Sequence, residues 1–160
     1  MPDQYIPFDR EAVFPQLRRD DYRKTSSEDS KYNCIAHAAN KNNSWWWPVR
    51  GSIEGVYWPN GVVIEETIEA FIHAYEVEGY TLCSGRELEV GFEKIAIYVD
   101  ADGIPTHAAR QLEDGYWTSK LGEWEDIRHR TLEALETGDD ASNRGLGYGK
   151  VAVIMRRPRK

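Results

Sequence analysis

The sequence predicts an α+β protein, helices first and then a small antiparallel sheet, and two stretches carry that reading. Ile64, Ile68, Phe71, Ile72 and Tyr75 recur at helical spacing on one face of a segment that begins near Glu65 and stops at Gly79. Residues 93–100, 105–112 and 116–122 are separated by Ala101-Asp102-Gly103 and Glu113-Asp114-Gly115, and they read as an antiparallel meander. The chain of 160 residues and 18.4 kDa shows no linker or repeat, so one domain over 1–160 is expected. Its parts are an extended arm at 1–24, a core at 25–155 and a basic tail at 156–160.

Taken in order, Tyr5 to Tyr22 mix Pro7, Phe8, Phe14, Pro15 and Leu17 with charges, which suits an arm ending in a turn of helix. The polar, turn-forming run Thr25 to Lys31 leads into a short helix at Cys34-Ile35-Ala36-His37-Ala38-Ala39, with Asn33 as its N-cap. Small alanines let such a helix lie close on a sheet, and Asn40-Lys41-Asn42-Asn43 ends it. Trp45-Trp46-Trp47-Pro48 cannot send all three rings into one core, so at least one ring belongs to a surface or groove wall. Tyr57-Trp58-Pro59 repeats the theme in a second loop. After the helix at 65–78, Tyr80 to Cys83 is an edge strand or connection, with Cys83 structural and His73 on the surface. Phe92 to Asp100 is apolar and β-branched enough for a central strand. Beyond Gly122 a helix holding Ile127, Leu132 and Leu135 is expected, then a glycine-rich loop from Gly138 to Gly149 and a last strand, Lys150 to Met155.

A net charge of −7 and a pI near 5.1 argue against general nucleic-acid binding, which needs an extended basic surface. Arg128-His129-Arg130 and the tail Arg156 to Lys160 read as a solvated face and a frayed terminus. No window approaches the roughly twenty apolar residues of a membrane span, and Met1 to Tyr5 lack a charged-then-apolar signal. Two cysteines in unlike contexts suit a reducing compartment, so the cytoplasm is expected, with export by a route needing no cleavable signal left open. No cofactor is expected.

The chemistry-bearing feature is Cys34 at the first turn of its helix. Unpaired N–H groups and the helix dipole favour a thiolate there. His107 starts a strand further on, and a cysteine nucleophile on an early helix with a base on a later strand is the layout of cysteine hydrolases.

Tyr-Asn-Cys-Ile-Ala at 32–36, Trp-Trp-Trp-Pro at 45–48, Tyr-Trp-Pro at 57–59, Phe-Glu-Lys-Ile-Ala-Ile-Tyr at 92–98, Thr-His-Ala-Ala-Arg-Gln at 106–111 and Trp-Thr-Ser-Lys-Leu-Gly at 117–122 resemble an uncharacterised family of small bacterial proteins. The element order more distantly resembles papain-like cysteine hydrolases, including NlpC-type endopeptidases. That resemblance implies a papain-like arrangement of helices on a small sheet, with Cys34 as nucleophile, His107 as base and Ser119 as the orienting residue. Ser119 departs from the usual Asn or Asp, and Asp126 is the alternative third member. In the NlpC register the base position falls on Lys94 and His107 becomes the orienting residue, so the papain-like register is preferred.

The implied reaction is attack of Cys34 on an amide or ester carbonyl of a peptide or amide-containing substrate. Asn33 and the Cys34 N–H would hold the oxyanion, Trp46 and Trp58 would wall the cleft, and Arg110 could read a carboxylate. Two other classes compete. One is an inactive domain acting as a binding, inhibitor or immunity-type module, its protein partner at the tryptophan loops. The other is a metal site of Cys34, His37 and His107, which would need a fourth ligand. His129 is expected to be structural, pairing with Asp126.

Overall fold

Seven antiparallel strands form one sheet in the computed structural model, which describes residues 4–159. Met1–Asp3 of the arm and Lys160 of the tail lie outside the described residues. The strands are β1 (Arg23–Ser26), β4 (Thr81–Cys83), β5 (Phe92–Val99), β6 (Pro105–Gln111), β7 (Trp117–Lys120), β8 (Asp126–His129) and β9 (Lys150–Pro158), in the order β1-β8-β7-β6-β5-β9-β4. Two more, β2 (Trp45–Trp46) and β3 (Val56–Tyr57), pair in parallel as a separate flap. The helices are α1 (Phe8–Glu11), α2 (Cys34–Ala38) and α3 (Ile68–Val77). The order is α+β, with more strand than helix, and the meander β5-β6-β7 is present as predicted.

Side chains alternate across each strand, so the sheet has two distinct faces. On one, Ile95, Ile97 and Ala108 pack with Cys34, Ile35, Phe71 and Tyr75 of α2 and α3. On the other, Ala96, Tyr98, Ala109 and Ile127 pack with Phe14 and Leu17 of the arm and with Leu132 and Leu135. We call these the helix face and the arm face.

Several elements differ from the sequence reading. The helix expected after Gly122 is the strand β8, because Gly122 turns the chain at φ 63° and Ile127 and His129 alternate with Asp126 and Arg128. Leu132 is the N-cap and Leu135 the last residue of a 3₁₀ turn, and Thr131 Oγ1, just before it, accepts from Ala134 N at 3.2 Å. The polar run at 25–31 begins inside β1, which pairs with β8 at the sheet edge, so a strand starts within the expected arm. The basic tail is not frayed over its described part: β9 runs to Pro158, and Arg157 Nε donates to Glu93 Oε1 at 2.7 Å. α3 starts at Ile68 rather than Glu65, because Thr67 is its N-cap and accepts from Ala70 N at 3.2 Å. Gly79, at φ 95°, ends it as predicted. Among the described residues no helix is long and apolar enough to cross a membrane.

Candidate functional site

α2 is only five residues long, and its alanines bring it down onto β6 and β7. Asn33 fixes its start: the side-chain oxygen accepts from Ala36 N and from Trp46 N, both at 3.1 Å, and the amide donates to Trp46 O at 2.7 Å. Asn33 therefore ties the helix to the flap, and these three bonds engage both ends of its amide rather than leaving it to face a substrate. Trp46 is core, 2% exposed, with its ring beside Tyr57 and Tyr75.

Cys34 is 6% exposed, and its Sγ lies over the β6 backbone, 4.0 Å from Thr106 O. Burial pushes the thiol up to about 11, against the opposing pull of nearby backbone N–H groups such as that of Ala108. Desolvation outweighs the helix-start effect that the sequence suggested.

His37, one turn on, shares an Nε2···Oγ1 hydrogen bond of 2.9 Å with Thr118, and its Nδ1 stands 3.9 Å from Asp126 Oδ2. Tyr32 OH donates to the same Oδ2 at 2.7 Å, and Lys120 Nζ lies 4.0 Å from Oδ1 and 4.9 Å from the Tyr32 ring centre. Burial lowers both His37 and Lys120, with Asp126 opposing it, while burial and the Asp126 bond push Tyr32 to about 12. The 3.9 Å gap is too long for a hydrogen bond, so Asp126 does not orient the imidazole. Tyr32, His37, Thr118 and Lys120 were missed as a group by sequence reasoning. The available signal was the alternation on β7, which sends Thr118 and Lys120 toward α2 and Ser119 away; the strand at Asp126 that completes the set was read as helix.

His107 occupies the arm face. It stands opposite Tyr98 in the β5–β6 register, and its ring stacks on Tyr148 with centroids 4.1 Å apart and planes 3° from parallel. Gly149, at φ 88°, fixes that neighbour, because a Cβ there would lie 1.9 Å from Val99 O. Thr106 Oγ1 also donates to Tyr148 O at 2.6 Å.

A hydrogen-bonded chain runs on from His107. His107 Nε2 and Ser119 Oγ are 3.0 Å apart, Ser119 Oγ and His129 Nε2 are 2.8 Å apart, and His129 Nδ1 meets Thr131 O at 2.8 Å. A carbonyl only accepts, so His129 Nδ1 carries the proton and its Nε2 accepts the Ser119 hydroxyl. Ser119 then accepts from His107 Nε2–H, which leaves His107 Nδ1 a bare lone pair, buried and unpartnered among the described residues. His107, Ser119 and His129 are each 0% exposed. Burial holds His129 at about 4 and His107 well below 6.5, so both rings are neutral.

The structure thus brings His107 and Ser119 together and sets both across the sheet from Cys34. Cys34 and His107 share no hydrogen bond, and His129 pairs with Ser119 and Thr131 rather than with Asp126, which faces α2. The metal set Cys34, His37 and His107 is divided by the sheet. No group of three or more His, Cys, Asp or Glu side chains among the described residues is placed to hold a metal ion. Trp58 stands in the flap, its Nε1 donating to Val63 O at 3.1 Å. Arg110, on the helix face, stands beside Glu93. Lys94 Nζ is spent on Gly85 O at 2.7 Å.

These features describe an α+β protein whose sheet separates two buried polar clusters. The chain belongs to the family described as domain of unknown function DUF7689, whose model matches residues 23–156. No curated protein and no solved structure matches it.

Proposed function

We propose that the protein is a catalytically inactive, papain-like binding module whose flap engages a protein partner. Two features support the papain-like likeness: Cys34 opens a helix, and His107 bonds Ser119 on the next strand. The observation that carries the non-catalytic reading is the separation of the two groups. A thiol buried on one face and a neutral imidazole buried on the other do not form the ion pair that thiol attack requires. The cysteine hydrolase reading depends on that pair.

The flap supports the binding half. Ile53, Tyr57, Val63 and Ile64 are 51%, 39%, 49% and 39% exposed. Tyr57 and Ile64 line a groove of about 240 Å³ together with Val49 and Trp58. The flap is braced from below, with the Trp47 and Trp58 rings on Phe71 at 5.3 and 5.2 Å, so its apolar surface is presented pre-ordered. Within residues 45–66 the acidic side chains Glu54, Glu65 and Glu66 are exposed, and Arg50 is the one base of that segment. The fitting partner offers apolar side chains ringed by lysine or arginine.

Affinity capture with the wild-type chain, followed by titration of the purified captured protein, tests this. The expected result is a partner with a basic-rimmed apolar patch, bound with backbone hydrogen-exchange protection over 53–64 and lost in Tyr57→Glu/Val63→Glu. A partner held equally by that variant, or protecting other segments, would overturn the proposal.

A further inference from the structure

At the end of the helix face where β5 begins and β9 ends, three arginines gather round one carboxylate. Glu93 on β5 stands opposite Arg157 on β9. Arg157 Nε donates to Glu93 Oε1 at 2.7 Å, whereas Arg110 and Arg159 reach Glu93 Oε2 only at 3.9 Å each. Arg157 also donates to Glu78 O at 2.8 Å, and Arg159 to Phe92 O at 3.2 Å, so both have partners of their own. The side chain of Arg110 is 13% exposed, and its one hydrogen bond among the described residues runs to Asn40 Oδ1 at 3.4 Å. Its Nε is buried and unpartnered among the described residues. Beside it, Tyr80 is 1% exposed with a hydroxyl unpartnered among the described residues, and its ring lies 4.4 Å beneath the Arg157 guanidinium.

A guanidinium carries five donors in a planar fork, and leaving most of them unused in a half-dry site is unfavourable. The nearby pair Lys41–Glu78, at 3.7 Å, balances itself. Among the described residues, Arg110, Arg157 and Arg159 against Glu93 leave two positive charges uncompensated, in a chain whose net charge is −7. The groups that match a fork of donors and two positive charges are the oxygens of a phosphate dianion. A singly charged carboxylate would answer half of that excess.

We infer that the Arg110–Arg157–Arg159 cluster is a phosphate-binding site, with Arg110 gripping the ligand through the fork that the protein leaves unused, and Tyr80 OH and Arg159 completing the ring of donors. The site is separate from the flap and does not depend on how the flap is read.

The test is a titration of inorganic phosphate followed by the Nε–Hε resonances of the arginines, at constant ionic strength against chloride and acetate. The site predicts a saturable shift of the Arg110 Nε–Hε signal with phosphate, weaker with acetate and absent with chloride. Arg110→Lys keeps the charge and lacks the fork, so affinity should fall about tenfold while the protein stays folded. Arg159→Gln should weaken phosphate less, because that side chain stands at the rim. A parallel titration with O-phosphoserine separates the sources. Tighter binding of the ester means the phosphate is presented by a larger molecule, and equal or weaker binding means free phosphate suffices. No saturable Arg110 shift with either compound, or an unchanged affinity in Arg110→Lys, would overturn the assignment.

Discussion

The two faces of the sheet hold polar groups in different ways. On the helix face, Tyr32, His37, Lys120 and Asp126 crowd together with imperfect partners: two separations near 4 Å, and His37 Nδ1 and Asp126 Oδ1 without hydrogen bonds among the described residues. On the arm face, His107, Ser119 and His129 form a directed chain in which every bond is 3.0 Å or shorter. Ser119 and Thr118 are neighbours in sequence, yet each serves a histidine on its own side. Residue type and proximity along the chain are therefore poor guides to chemistry here, since strand parity decides which groups meet.

Substitutions on β7 and at the start of α2 sharpen that contrast. Ser119→Ala leaves one imidazole N–H and one ring lone pair buried without partners, and a loss of about 2–4 kcal/mol in denaturant unfolding is expected. Asn33→Ala removes the α2 cap and both bonds to Trp46, and should cost about 2–3 kcal/mol in the same measurement. Thr118→Val should cost only about 1 kcal/mol, because His37 lies nearer solvent than the arm-face pair. A Thr118→Val loss as large as that of Ser119→Ala would erase the distinction between the faces.

Acid reads both faces together. His37, His107 and His129 are all held below 6.5 by burial, so the unfolded chain takes up protons before the folded one does. Stability is then full above pH 6.5 and falls as the pH drops from there toward about 4, the value for His129. The slope is at most about 1.4 kcal/mol per pH unit for each histidine. Urea titrations at successive pH values measure it, and a flat profile would mean that the rings are charged in the fold. The smallest effect belongs to the surface: Tyr57→Glu/Val63→Glu should change stability by less than about 0.5 kcal/mol while abolishing partner capture.

Much of this was legible in the residues. The central strand, the meander and the helix ending at Gly79 follow from periodicity and turn chemistry, and Asn33 was correctly read as a cap. The pairing of His107 with Ser119 entered through the papain-like resemblance, which puts the orienting residue on the strand after His107, and the two are hydrogen-bonded. The face they occupy was not, since it depends on the β5–β6 register and on which face α2 covers, and both are long-range facts. β8 was misread because Ile127, Leu132 and Leu135 are apolar at irregular spacing, and only pairing with β1 and β7 makes Asp126 to His129 a strand. The tail was misread because its arginines find Glu89 and Glu93 across the sheet.

The most direct measurement is the rate of Cys34 alkylation by iodoacetamide against pH, in a Cys83→Ser background. A thiol buried on the helix face, with its imidazole candidate across the sheet, should label slowly and gain rate only above pH 9, toward the thiol value of about 11. Rapid labelling below pH 8 that disappears in His107→Ala would contradict the separation of the faces and restore a thiolate–imidazolium pair.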